Sequence, residues 1–426
     1  MHSQFSPPLR LQVLGFGLLS LLVVGALLVH PVSRERAHLT TATSNRPNTF
    51  TQITSDANYR AGISEGVRIA SGSVSMSSPR GRLTYAGKSW AWSRWTSWNV
   101  QPGQSFTQLV PTWNITTPPG TLVMVQARAR STAGRFSGWK LMGSWTTRDS
   151  DFRRRSGAAQ QDSVARVATD TLVASSGVTL TSYQLRVLFL RPPSSTASSV
   201  VRSLQAVASR PVALPTTSRR LLAARTLNVP RYSQMTHRGQ YPQYGGGGQA
   251  WCSPTSLSML LGYYRALPSA ANRAWVQKGY ADPWVDHVAR VVYDYGYQGA
   301  GNWAFNTAYA ANLTADAFVT RLVNLREAER FIAAGIPLAA SISFSRGQLT
   351  GAPIGATSGH LVVIAGFTSN GNIVVNDPAA PSNSSVRRVY DRGQFERAWL
   401  GRSSGTVYVV RDAAHPLPAR AGNRNW

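Results

Sequence analysis

The sequence changes its hydrophobic period once, at about residue 225, and a chain with two periods must build two kinds of core. From 59 to 210 the apolar segments are short, β-branched or aromatic, and separated by turn pairs such as Pro102-Gly103, Pro118-Pro119-Gly120 and Ser176-Gly177. Residues 121–130 and 179–191 read as strands within that stretch. Short strands with turn chemistry between them predict an all-β, sandwich-like domain. Beyond 225 the spacing turns helical. Asp282-Pro283 offers an N-cap and a first-turn proline, and Val285, Val288, Val291, Val292 and Tyr295 then recur on one face until Gly296. Asn324 with Glu327 resembles a capping box for a helix that Gly335 and Pro337 end. Strand-like runs follow at 338–344, 361–367, 372–375 and 406–410. Helices first and strands afterwards predict an α+β domain over 225–410. Residues 211–224 read as a linker and 411–426 as a basic polar tail. At 426 residues, 43 % hydrophobic and only 14 % charged, the chain has material for two cores and lacks the composition of a disordered one.

The N-terminus adds a compartment. Residues 11–29 follow Arg10, carry no charge and are long enough to cross a bilayer. The apolar run exceeds the usual 7–15 residues of a cleavable signal, and only a weak cut after Ala26 is available, so a signal-anchor over 1–36 is favoured over a removed signal. Either reading exports the remainder, membrane-anchored or secreted. Residues 37–58, polar and without a sustained period, read as a tether.

Charge is uneven along the chain. Lys+Arg 44 against Asp+Glu 17 gives +27, and only three of the basic residues are lysine. Residues 1–224 carry net +18, 225–410 net +7 and the tail net +2. The basic front half suits an anionic envelope polymer or glycan; no specific nucleic acid is expected. Seven tryptophans (Trp90, Trp92, Trp95, Trp98, Trp113, Trp139 and Trp145) fall in that half, where a sandwich core is the favoured destination over a stacking platform.

One cysteine, Cys252, excludes an intrachain disulfide, and one thiol among scattered histidines offers no zinc-ligand spacing. No metal or organic cofactor is implied. Pro254 suits the first turn of a helix whose buried stripe is Leu257, Leu260, Leu261 and Tyr264. Cys252 therefore stands at the positive end of a helix, where thiolate is favoured over thiol. A nucleophilic thiolate needs a base, a group that orients the base, and donors for an oxyanion. His360 opens an apolar run, and Asp377 closes the next strand across a turn marked by Asn370-Gly371. A two-residue Asn-Gly loop does not bring those two into register, so a longer loop or a bulge is required. Gln249 supplies an amide three residues before the thiol; Gly247, Gly248, Trp251 and Gly359 flank the set as candidate substrate-binding residues.

These residues, Gln249-x-x-Cys252-Ser-Pro-Thr-Ser, then Gly359-His360-Leu-Val-Val-Ile-Ala-Gly-Phe, then Asn376-Asp377-Pro378, resemble the C39-like branch of papain-like cysteine peptidases, related to the domains that remove leaders in bacteriocin export. The resemblance covers 225–410. It implies Cys252 as nucleophile, His360 as general base, Asp377 or its neighbour Asn376 as the orienting group, Gln249 as oxyanion donor, and a cleft between a helical and a sheet lobe. No transporter segments follow the peptidase-like region in this sequence, so leader peptides are not carried over as substrates. The expected activity is hydrolysis of peptide bonds through a covalent thioester. A peptidoglycan-peptide hydrolase and a non-catalytic binding module are the competing expectations.

Overall fold

The structure, a computed structural model, describes residues 48–157, 159–211, 216–420 and 424–426. The apolar run at 11–29 lies outside them; among the described residues no helix is long and apolar enough to cross a membrane.

Among the described residues there are three antiparallel sheets, the first two from the front half. One has the strand order β10 (Ala165–Ala168), β11 (Thr171–Ala174), β7 (Gln108–Thr116), β13 (Val200–Ser209), β4 (Ser73–Met76), β3 (Val67–Ala70), with β1 (Asn48–Ile53) also on β13. The other runs β2 (Ile63–Glu65), β6 (Lys88–Thr96), β12 (Leu180–Arg191), β8 (Leu122–Ser131), β9 (Lys140–Trp145), with β5 (Gly81–Tyr85) on β6. Alternation sets their inner faces: Val123, Val125, Ala127 and Ala129 of β8 and Leu185, Val187 and Phe189 of β12 are buried in the main core with Trp95, Trp113 and Trp145. Trp90 and Trp92 differ from that expectation. They have the opposite parity to Trp95 on β6 and join Leu122, Met124, Phe152 and Leu190 in a small second cluster.

The third sheet belongs to the second half, in the order β15 (Asp316–Arg321), β20 (Thr406–Arg411), β16 (Leu338–Phe344), β17 (Thr357–Phe367), β18 (Ile373–Asn376), β19 (Arg387–Tyr390), with the short β14 (Arg225–Thr226) on β17. After α1 (Asp56–Arg60) in the front half, helices α2 (Cys252–Tyr263), α3 (Pro283–Val292), α4 (Trp303–Ala310), α5 (Leu325–Ala333) and α6 (Arg392–Ser403) complete it. The Asn324 cap forms as expected: its side chain accepts from Glu327 N–H, and Glu327 accepts from Val323 N–H at 2.8 Å. Asp282 does not cap α3. It sits at φ 45° and accepts instead from Asn383 Nδ2 at 2.7 Å, so Pro283 starts the helix without a side-chain cap.

The two halves share one continuous core. Phe50 of β1 meets Phe318 of β15 at 4.6 Å, and Phe305 of α4 lies 5.3 Å from Trp145 and 6.1 Å from Trp113. Polar groups are matched across the seam: Asp316 accepts from Asn114 at 2.7 Å, and the buried Arg321 donates to Gln108 at 2.6 Å. The described parts of three stretches that read as loose are consequently fixed. The expected tether ends early, because residues 48–53 pair with β13 along their whole length. In the expected linker, Glu396 accepts from Ser218 N–H, and Glu329 accepts from the N–H groups of Leu221 and Leu222 at 2.6 and 2.7 Å. The expected polar tail returns to the body, where Trp426 is buried edge-on to Phe331 at 5.0 Å and Asn425 donates to Glu327 at 2.7 Å.

Candidate active site

Helix α2 begins at Cys252, two residues before Pro254, and is buried on all sides from Ser253 to Leu261. Its serines therefore need partners, and they anchor it to the sheet. Ser256 Oγ donates to Leu361 O on β17 at 3.0 Å, and Ser253 Oγ pairs with Tyr408 Oη on β20 at 2.8 Å. Upstream, Trp251 is fully buried and donates Nε1 to Tyr244 O at 2.7 Å. Gly245, Gly246 and Gly247 carry φ of 84°, 96° and 98°, a run that only glycine adopts cheaply. Gly247 and Gly248 also lack room: a Cβ on Gly248 would meet Gln234 O at 2.3 Å. The two glycines thus pack the loop against residues 234–240.

His360 lies on β17 opposite Ile342. The hairpin into β18 solves the register problem as anticipated. Phe367 pairs with Ile373 around a five-residue loop, and a bulge falls between Ile364 and Gly366. Val363 then faces Asn376, which places Asp377 diagonally across from His360 on the same face. His360 Nε2 meets Asp377 Oδ1 at 2.7 Å with both side chains buried. Asn376 points the other way, donating to Pro230 O at 2.8 Å and accepting from Arg387. Strand alternation thus separates the two neighbours that sequence left as alternatives.

With Nε2 committed to Asp377, the other ring nitrogen is left for Cys252, whose half-buried thiol interacts with the His360 side chain. Burial pushes the thiol up, but the hydrogen bond and charge of His360, with the Leu361 and Ser253 backbone, outweigh it and leave the pKa lowered. For His360 burial works against the charged form, and Asp377 and Cys252 more than reverse it, raising the imidazole well above its ordinary range. Asp377 is likewise opposed by burial and held below the usual carboxylate range by His360, Tyr390 and the Ala379 N–H. The arrangement favours a thiolate–imidazolium pair beside a fixed carboxylate.

Tyr390 had no signal in the sequence. Its hydroxyl donates to Asp377 Oδ2 at 2.7 Å from β19, so the carboxylate is tied on both oxygens. Gln249 does not reach toward the thiol through any bond of this structure. Its Nε2 donates to Gly246 O at 2.5 Å and its Oε1 accepts from Gly239 N–H at 3.1 Å, which closes the glycine loop. A second amide, Gln234, is buried close by; its Nε2 donates to Gln249 O at 2.8 Å and its Oε1 has no partner among the described residues. Gly359 bonds locally, its N–H to Thr357 Oγ1 at 3.1 Å. A separate buried pair, His237 Nδ1 and Asp286 Oδ2 at 3.1 Å, packs beneath Trp251.

The front half fixes the loop from Asp294 to Asn302 that borders this region. Asp294 Oδ1 accepts from Ser156 N–H at 2.9 Å and from the loop's own Gly296 and Tyr297 N–H groups. Buried Arg154 donates to Arg290 O at 2.8 Å, and buried Asp170 accepts from Trp303 N–H at 2.8 Å at the start of α4. Burial lifts the Asp170 pKa to about 6. The loop in turn packs on the glycine run, with Gly299 Cα 3.6 Å from where a Cβ on Gly245 would stand.

A thiol at a helix start, an imidazole on the facing sheet and a carboxylate behind it define a cysteine–histidine–aspartate site between a helical and a sheet element. Comparison with known proteins places the chain further. Residues 49–209 match the Peptidase C39 N-terminal domain and residues 226–407 match the Peptidase_C39 like family. The chain belongs to the C39-like peptidase family. Among solved structures, a protein from Bacillus anthracis titled as a C39-like peptidase is 18 % identical, with 45 % of this chain and 98 % of that chain covered and a TM-score of 0.29. The carbohydrate recognition domain of Emp47p is 11 % identical, with 38 % and 97 % covered and a TM-score of 0.21. No curated protein matches the chain.

Proposed function

We propose that this protein is an exported cysteine peptidase that cleaves peptide bonds through Cys252, with His360 and Asp377 completing the proton path. The observation that carries the reading is the buried hydrogen-bonded chain His360–Asp377–Tyr390 set beside the Cys252 thiol, whose pKa His360 lowers. In the first half-reaction the Cys252 thiolate attacks the scissile carbonyl carbon, its lone pair forming the C–S bond while the carbonyl π pair moves onto oxygen. Collapse of that intermediate expels the amine, which takes the proton from imidazolium His360 and leaves a thioester. In the second half-reaction neutral His360 removes a proton from water as it attacks the thioester, and the proton returns to the pair as the acid departs. Asp377 keeps one tautomer in place and stabilises the imidazolium each time it forms.

The oxyanion is assigned to the Cys252 backbone N–H at the helix start and to a side-chain amide. Gln249 keeps one Nε2 hydrogen beyond its bond to Gly246, while Gln234 is the buried alternative; Gln249→Ala and Gln234→Ala compared by kcat tell them apart. Export rests on the apolar run at 11–29, through anchoring or a cleaved signal.

A fluorescent thiol-reactive probe at neutral pH, followed by digestion of a peptide library, tests the reading. Wild type labels at Cys252 and turns over; Cys252→Ala does neither, and His360→Ala is depressed in both. Absence of labelling in wild type, or full turnover in His360→Ala, refutes catalysis by this set. Release of peptides from purified cell wall without cleavage of unfolded protein assigns the substrate to peptidoglycan.

A further inference from the structure

The outer face of the β2–β6–β12–β8–β9 sheet carries a diagonal row of arginines. In the strand register Arg94 on β6 is opposite Leu188, Arg186 on β12 is opposite Gln126, and Arg128 on β8 is opposite Gln184. The three guanidiniums therefore occupy successive strands, each displaced by two residues from the next, a diagonal of about 7–8 Å between Cα atoms. Like charges so placed destabilise a sheet, and long side chains ordinarily swing away into water.

Here they are held. Arg94 is bidentate on Glu65, with Nη2–Oε1 at 2.7 Å. Arg186 Nε donates to Gln126 Oε1 at 2.7 Å, and Arg128 donates twice to Gln184 Oε1, at 2.8 and 2.6 Å. Arg186 and Arg128 also lie over the Trp139 ring, at 4.0 and 4.7 Å. Among the described residues the two Nη atoms of Arg186 and Nη1 of Arg128 bond no protein acceptor, and Glu65 is the one carboxylate paired within the row. Burial, followed by the charges of Arg94 and Arg128, brings the Arg186 pKa down to about 10.

We propose that this face is a binding site for successive phosphate groups of a phosphodiester polymer without bases. Two-oxygen anions match the guanidinium fork, and fixed donors on adjacent strands suit a repeating anion. Bases have no platform along the row itself, because the rings beside the three arginines already carry guanidiniums. Besides Trp139, Arg94 covers Trp92 at 5.5 Å and Arg128 covers Phe136 at 4.5 Å. The site is independent of the chemistry at Cys252.

The test uses the full chain and calorimetric titration with inorganic tripolyphosphate and with poly(glycerol phosphate) at two salt concentrations. Arg128→Gln/Arg186→Gln should lose about tenfold or more in affinity and flatten the salt dependence by about one unit of slope per arginine. Arg346→Gln/Arg402→Gln, exposed arginines of the second half, should stay within about twofold of wild type. Melting gives a second readout: tripolyphosphate should raise the Tm of wild type and not that of the Arg128/Arg186 variant, whose own Tm should rise as repulsion is relieved. Equal losses in both double variants, or none in either, overturn the site. Tighter binding of oligothymidylate or hyaluronan than of poly(glycerol phosphate) at equal charge overturns the assignment to a base-free phosphate polymer.

Discussion

Replacing Asp377 by Asn changes one charge and almost no volume, which isolates the carboxylate's electrostatic part in the proposed site. In the structure Asp377 Oδ1 is 2.7 Å from His360 Nε2 with both groups buried, so the imidazolium has little water to compensate for the loss. An opposite charge at that range is worth about 1–3 pKa units, and each unit is about 1.4 kcal/mol. The sign runs in two directions. His360 loses the partner that raised it, so the imidazolium deprotonates at lower pH and the alkaline limb of kcat/KM moves down. Cys252 loses the nearby positive charge over the same range, so its alkylation midpoint moves up toward an ordinary thiol. The window in which thiolate and imidazolium coexist therefore narrows from both sides. Iodoacetamide alkylation of Cys252 against pH should show a midpoint about 1–2 units higher in Asp377→Asn. With a cleavable peptide, kcat/KM should fall by about 10²–10⁴. Asn also leaves the Tyr390 hydroxyl without its acceptor at Oδ2, a cost of about 1–3 kcal/mol to be read separately by thermal melting. A folded Asp377→Asn protein with an unmoved alkylation midpoint and unchanged kcat/KM would show that the carboxylate does not govern the pair.

Tyr390→Phe tests the outer tie alone: the Asp377 position should loosen and kcat/KM fall by about tenfold or less, with a Tm loss consistent with one unmet buried acceptor. His360 is raised from its ordinary value, so its contribution to stability is complete below about pH 6.5 and is lost as pH rises through the folded value near 10; Tm should decline over that interval in wild type and decline less in His360→Asn. Arg154→Ala strands the carbonyls of Thr146 and Arg290 in the seam between the halves and should cost about 3 kcal/mol or more in denaturant unfolding, whereas an exposed arginine such as Arg346 should cost under about 0.5 kcal/mol. Because one core runs through both halves, calorimetry of the full chain should give a single transition; two separated transitions would contradict the shared core.

The sequence by itself carried the features that depend on near neighbours. A proline two residues beyond Cys252, a leucine stripe behind it and a glycine run before it are local signals, and they set a helix start with the thiol at its positive end. The cap at Asn324, the strands at 338–344 and 406–410, and the need for an irregularity between His360 and Asp377 are local in the same sense, because backbone hydrogen bonding follows spacing. Tertiary structure decided what distance along the chain conceals. Tyr390 reaches Asp377 only because β19 pairs with β18, and Asp377 prevails over Asn376 only because register fixes which of two neighbours shares a face with His360. The closed amide of Gln249 depends on a bond to Gly239 across a folded loop. The largest difference concerns the front half. Composition portrays it as a separate basic module on a linker, yet Asp170, Arg154 and Ser156 hold the loop beside the glycine run, and Phe50, Trp113 and Trp145 complete the second half's core. Periodicity tells each strand which face to bury; only the packed molecule determines what that face is buried against.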